Sequence, residues 1–371
     1  MTDYFYQEKD QVIALIHEES YGKCQGNTLA WTKCDNPTNF KGLDLVHKGP
    51  DLPPTIREKI DYFGVGGGKY PTMIVNAMHN PIEITLNMPL QSGRFLSYAI
   101  GTATTSGTDP YTHDIPESIN HSMESFCLHV EQKNTTGTET IIYELLGCIV
   151  KSITYHIGYN ENDGQIMQSV NITSPYAVIL EDADKLASPP SYLTDVPYTF
   201  GDVDETSDKI LEENSGDILP DAVSLLEFTI ENTITFMPDV GNLYFTDFTC
   251  GERKVSFHIV GFNKKSTIFG FWSGIWETDT HMYDTATTRI CSNIKLTRSA
   301  NDYIKIFVYN WKITNYSCRF FNVQEGSLRA EDFTLTSATP RSTANRMLID
   351  ASGNNCEVKD DRANTYYHHT T

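Results

Sequence analysis

The segment Ile82-Glu83-Ile84-Thr85-Leu86 returns in pattern as Val255-Ser256-Phe257-His258-Ile259, 173 positions later. Both alternate apolar and polar residues, the period of a half-buried β-strand. At the same spacing, Phe95-Leu96-Ser97-Tyr98-Ala99-Ile100-Gly101 meets Ile268-Phe269-Gly270-Phe271-Trp272-Ser273-Gly274, which reads as a second aromatic strand closing on glycine. The stretches between, 87–94 and 260–267, are equal in length and carry Gly with polar residues, as hairpin turns do. A hairpin repeated without a gap points to one β-rich unit used twice.

Later elements recur in the same order. Leu128 and Val130, followed by Thr140-Ile141-Ile142-Tyr143, match Ile294 and Leu296, followed by Asp302-Tyr303-Ile304-Lys305-Ile306. The segment 150–157 matches 313–320, at a spacing of 163. The drop from 173 to 163 places ten extra residues in the first copy, in the loops 102–124 and 134–137. Both copies then turn on glycine, Gly164 and Gly326, and enter a strand ending in Thr-Ser, at Ser174 and Ser337.

A chain of 371 residues holds two domains of ordinary size, each able to bury a core without disulfides. Hydrophobic residues at 39% and aromatics at 11% fit a folded protein. The formal charge of -20 disfavours a stable grip on nucleic acid, because phosphate binding needs clustered Lys and Arg. It permits a surface past which DNA slides. The eight cysteines are scattered with no C-x-x-C, so they read as buried, reduced, apolar side chains. No stretch approaches a transmembrane length, and the opening residues lack a basic region followed by an apolar run. Synthesis in a reducing cytoplasm is expected.

The organisation follows from composition. Residues 1–18 form an N-terminal arm, in which 7–16 could make a short amphipathic helix through Val12, Ile13, Leu15 and Ile16. Residues 19–175 form the first β unit and 222–337 the second. Between them, 176–221 is rich in Asp, Glu and Pro and reads as an exposed acidic linker, with a helical turn expected within 204–214. The polar, Asn-rich tail 338–371 is expected to pack loosely.

Motifs that carry chemistry are not found in productive form. Gly64-Val65-Gly66-Gly67-Gly68-Lys69 resembles a phosphate-cradling loop, but Tyr70-Pro71 follows where Ser or Thr and a helix are required. His368-His369, beside Tyr366 and Tyr367, sits at a terminus rather than in a ligand cluster. His113-Asp114 beside Tyr111 invites acid/base chemistry, but no Ser or Cys stands in an elbow context. Phe269, Phe271, Trp272 and Trp276 read as core or interface residues at strand spacing. No catalytic, cofactor-binding or metal residues are assigned, and no enzyme activity is expected.

Tyr143, Gly147, Val150, Ser152, Ile153, Gly164 and Ile166 resemble the Tyr-x-x-x-Gly-x-x-Val-x-Ser-Leu … Gly pattern of tail tube proteins of long-tailed phages and tailed archaeal viruses. The runs 109–113 and 125–130 are similar to their Pro-Tyr-Thr-His … Pro-Ser-Phe-Thr-Leu stretch, and 226–232 and 302–306 to their C-terminal half. The likeness spans about residues 60–335. The loop 32–70, the acidic linker and the tail depart from a minimal tube domain.

The resemblance implies a mainly β fold: tandem duplicated antiparallel β-sandwich or barrel units of tail tube type, with short flanking helices. It implies hairpins that pair between neighbours and close a β-barrel around a channel. Closure removes the edges that would otherwise be a liability. The implied partners are the chain itself, as a homotrimer ring of pseudo-sixfold symmetry or alternatively a homohexamer, with rings stacked into a tube. Tape-measure, terminator and baseplate or tip proteins are implied too. DNA would cross the lumen without specific binding, and no membrane is involved. The location implied is the virion tail, assembled in the host cytoplasm. The alternative is a virion or secreted β-sandwich module that binds carbohydrate or a receptor.

Overall fold

The structure is a computed structural model that describes residues 6–35, 40–42, 58–63, 73–79, 81–118, 123–134, 140–159, 162–186, 195–204, 210–213, 216–217, 219–220, 222–240, 245–263, 290–323, 326–337, 346–350, 353–363 and 367. The statements below concern these. Strand β1 (Tyr6–Ser20) turns back into β2 (Lys23–Cys24), and β3 (Lys41–Gly42) pairs along its middle. β4 (Glu58–Phe63) and β5 (Met73–His79) form a separate two-stranded ladder. β6 (Ile82–Pro89) leads into the helix α1 (Arg94–Ile100), then the hairpin β7 (Thr104–Ser106) and β8 (Tyr111–Ile115). β9 (Phe126–Asn134), β10 (Thr140–Gly158), β11 (Met167–Ser174) and β12 (Tyr176–Leu180) follow. After short β13 (Leu211–Glu213) and β14 (Gly216–Asp217) come β15 (Ala222–Pro238), β16 (Phe245–Asn263), β17 (Ile290–Ser299), β18 (Asp302–Val323), β19 (Gly326–Ser337) and β20 (Cys356–Asp360). The protein is mainly β, and the pairings are antiparallel throughout.

One large sheet runs β6–β11–β10–β15–β16–β19–β18. Alternation explains it. Ile84, Leu86, Ile153, Tyr155, Phe228, Ile230, Phe257 and Phe333 are buried on one face, with polar residues between them. Strand β10 serves two neighbourhoods. Its first half pairs with β9 and β12, its second with β11 and β15. The change comes at Gly147, which has φ 64° and sits in a bulge between Leu145↔Leu128 and Cys148↔Phe126.

The second half of the chain pairs in the same way. Val170 faces Leu86 and Ile153, and 163 positions later Phe333 faces Ile259 and Tyr316. Leu86 and Ile259 stand 173 apart. Bulges lie between Val150 and Ser152 and between their counterparts Ile313 and Asn315. The ladder β17–β18 steps between Ser292↔Val308 and Ile290↔Trp311, as β9–β10 does. This register matches Leu128 with Ser292 and Val130 with Ile294, two residues from the pairing expected on pattern alone.

Five expectations are corrected. Residues 94–100 are helix α1, not the return strand of a hairpin, and all seven are buried. A segment buried all round carries no alternation to hold it in a sheet, and its expected counterpart 268–274 lies outside the described residues. Residues 7–16 belong to β1, not to a helix: Ile13 and Leu15 enter the main core, while Ala14 and Ile16 enter a second one. A strand buried on both faces reads as a continuous apolar run. The tail packs: β20 lies between β18 and β8, and Cys356, Val358 and Tyr367 are buried. The acidic linker is anchored rather than wholly exposed, since Tyr198, Ile210 and Leu211 are buried. Leu211 belongs to strand β13 where a helical turn is expected. No helix among the described residues is long and apolar enough to cross a membrane.

Candidate functional site: the polar face of the large sheet

The face of the large sheet opposite the core is assembled by both halves of the chain. Its central row crosses six strands: Asn87, Ser169, Thr154, Thr229, Ser256 and Thr336, each opposite the next. All six are half-buried, uncharged and small. Neighbours bond to one another. Ser169 Oγ donates to Asn87 Oδ1 at 2.5 Å, and the Thr154 and Thr229 hydroxyls share a bond of 3.0 Å. One level away, Thr85 Oγ1 donates to Asn171 Oδ1 at 2.6 Å, and Asn171 Nδ2 donates to Ser152 Oγ at 2.7 Å. Cross-strand pairs of this kind are the stabilising unit of a sheet surface.

The imidazoles of this face lie beside carboxylates. Glu227 stands between His156 and His258, with Oε2 3.9 Å from each Nδ1, and His258 Nε2 is 2.8 Å from Asp332 Oδ1. Each of these imidazoles faces a carboxylate, and the row continues past Thr336 to a single exposed lysine, Lys312 of β18. A hydroxyl- and amide-rich surface whose groups already bond one another stays wet without gripping a polyanion.

A buried clasp holds the two halves beneath it. Arg253 of β16 reaches Glu117 Oε1 at 3.0 Å and donates to the carbonyls of Ala99 and Ile100 at 3.1 Å, closing the C-terminus of α1. Arg253 Nε donates to Asn232 Oδ1 at 2.8 Å, and Asn232 Nδ2 donates to Ala99 O. Glu117 Oε2 accepts the backbone N–H groups of Met347 and Leu348. Segments from α1, β15, β16 and the C-terminal region thus share one satisfied network.

Three further buried groups set local geometry. Glu18 accepts Ser125 Oγ at 2.6 Å, Gly147 N at 2.8 Å and Gly22 N at 2.9 Å, so it pins the bulge of β10. Burial pushes its pKa up to about 7, against the pull of those three donors. His129 lies 3.0 Å from both Glu131 Oε1 and Glu144 Oε1. Burial opposes its charge, but the two carboxylates outweigh burial and raise its pKa. Those carboxylates also accept Leu186 N and Cys34 N, which fastens two loops to the sheet.

His113 is placed by β8. Its Nδ1 lies 2.8 Å from Thr105 Oγ1 and its Nε2 3.2 Å from Asp360 Oδ1. The order hydroxyl, imidazole, carboxylate is that of a nucleophile, base and orienter. Here the imidazole is fully buried with Tyr367 stacked on it at 3.9 Å, and Asp360 also accepts from Arg362 and the Tyr367 hydroxyl. Burial would raise the Asp360 pKa, but His113, Arg362 and Tyr367 together lower it. The group fastens β20 to β8. Asp114, the other member of the sequence pair, bonds Asn355 instead.

The loop 64–69, the aromatics 269–276 and His368-His369 lie outside the described residues. Among the described residues no cluster of His, Cys, Asp or Glu is arranged to hold a metal ion. None of the eight cysteines forms a disulfide, and six are buried. Sequence reading missed the clasp, because Arg253 and Asn232 look like ordinary polar positions of two alternating strands. No protein-family model matches the chain, and no curated protein matches it.

Proposed function

We propose that this chain is the repeating structural subunit of a viral tail tube, carrying its tube-type β unit twice through tandem duplication. One observation carries this reading: two sets of strands pair residue for residue at constant offsets and contribute to one continuous polar sheet face. Unrelated β domains share a general alternation. Shared bulges, at Val150/Ser152 and Ile313/Asn315, are a more particular likeness, because a bulge marks one position in a ladder.

In this reading the row from Asn87 to Thr336 lines the lumen, where its neutral, self-bonded groups let DNA pass. The two-unit chain favours three copies per ring with pseudo-sixfold symmetry, and six copies is the alternative. Rings stack into the tube of a virion tail, assembled in the host cytoplasm with tape-measure, terminator and tip proteins as partners. Head-to-tail contacts that close by rotation produce such rings.

Electron microscopy of the purified protein tests the reading. Rings or hollow rods are expected. A strictly monomeric protein that binds glycans would overturn it in favour of a binding module.

A further inference from the structure

The ladder β4–β5 has a counterpart in the second half. Asp61↔Val75 and Tyr62↔Ile74 in one match Phe236↔Phe248 and Met237↔Asp247 in the other. The offsets are 175 along the first strand and 173 along the second. Each ladder also takes a register step at its base, after Glu58 and after Asn232. The distal parts of β15 and β16 are therefore an arm, and β4–β5 is the same arm of the first unit.

The second unit's arm is occupied within the chain. Its Ile234, Phe236 and Phe248 pack with Cys250, Met123, Ile149 and Tyr21, and the Tyr21 and Phe248 rings are 4.8 Å apart. Ile149 is completely buried there. Beside the arm, β15 extends the sheet by pairing with β10 from Ser152↔Glu231 to Gly158↔Leu225. The joint between units thus has two parts, a strand seam and an arm laid over Ile149.

The matching ground on the second unit is exposed at its described residues. Lys312, Asn315 and Ser317 occupy the positions of Ile149, Ser152 and Thr154, by the register of β18–β19 against β10–β11. All three are exposed, whereas their counterparts are buried or half-buried. Among the described residues, β4 and β5 pair with each other and with no other strand. Among the described residues, one chain thus holds an arm with no further strand partner and an exposed surface matching the internal seat.

We propose that the β4–β5 arm of one copy seats on the second unit of another copy, over Lys312. The contact repeats between chains the joint that each chain makes internally. It joins unlike surfaces, so it propagates head to tail, and alternating internal and external joints build the ring. The proposal rests on the tail tube reading for closure of that ring. Its chemistry differs from the internal joint: Lys59, Asp61 and Lys312 stand where Ile234, Phe236 and Ile149 stand. Val75 and Ala77 keep apolar character where Phe248 and Cys250 stand, so the contact between chains is more polar than the internal one, as suits a surface that must stay soluble before assembly.

The test mixes two variants, Val75→Cys and Lys312→Cys, under assembly conditions with a short bis-maleimide. A cross-linked pair of chains is expected from the mixture and from neither variant alone nor the wild type. Hydrogen exchange on the unmodified protein gives a second measurement: amides around Lys312–Ser317 should slow tenfold or more on assembly. Rings that form without the cross-link or the slowing would overturn the joint and leave the tube reading standing. A protein that never assembles would overturn the tube reading, and the joint with it.

Discussion

Gly147 and Asn310 hold the same left-handed backbone, φ 64° and 65°, 163 positions apart. Each sits at the bulge where a long strand changes partners. β10 leaves β9 and β12 for β11 and β15, and β18 leaves β17 and β20 for β19. Asparagine is among the few residues that tolerate this torsion in place of glycine. The torsion is the same although the residue differs, so the bend does not depend on one side chain.

Gly147→Ala should therefore destabilise the fold. The left-handed torsion alone costs an L-residue roughly 1–2 kcal/mol. The added Cβ would also meet the Tyr21 ring at 2.8 Å and Pro175 at 3.2 Å. Asn310→Ala should lose about 1 kcal/mol through the torsion. Urea unfolding of the two variants measures the difference, and Gly147→Ala should be the worse.

Stability should fall as pH rises from about 5 to 8. Unfolded Glu18 ionises near 4.5, while in the fold its pKa is about 7. The folded state holds that proton more tightly, so its advantage is full at low pH and is lost as pH climbs through the folded value. The loss is at most about 3 kcal/mol. His129, whose pKa is also raised, runs the same way: its contribution is full below 6.5 and fades above its folded value. Glu18→Gln should flatten the slope. Urea midpoints at pH 5 and pH 8 for both proteins measure it.

Arg253→Met should be among the most damaging single changes. It would leave the Glu117 carboxylate, about nine-tenths buried, without its cation. Breaking a buried pair from one side costs roughly 3–5 kcal/mol. Arg253→Met with Glu117→Gln should recover part of that, because no buried charge is then stranded. A double-mutant cycle by chemical denaturation reads the coupling directly.

Strand β6 was legible because its two faces differ: Ile82, Ile84 and Leu86 are buried while Glu83 and Thr85 are exposed. Helix α1 was not, since Arg94 through Ile100 are buried on every side and an all-round apolar segment fits strand or helix equally. The glycines at 93 and 101 are the local signal that brackets it. Strand β1 misled for a related reason: a strand between two cores places Ile13, Ala14, Leu15 and Ile16 in one unbroken run. The tail's Cys356, Val358 and Asp360 do alternate, but the run is five residues long in a polar context. The polar face could be read strand by strand. The row that joins Thr154 to Thr229 depends on which strands become neighbours, and single-chain periodicity does not contain that.

That row supplies the sharpest test of the lumen. Ser169 and Thr229 flank Thr154 on neighbouring strands, so Ser169→Lys and Thr229→Lys would place two cations roughly 10 Å apart on the face. The core face is untouched, and folding should survive. Each added phosphate contact should steepen the salt dependence of DNA binding by about 0.9 in log–log slope. Wild-type assemblies, with a chain charge of -20, should show no such binding. Fluorescence anisotropy of labelled DNA against NaCl reads both. If assembled double-lysine particles bind no more DNA than wild type, this face does not line the channel.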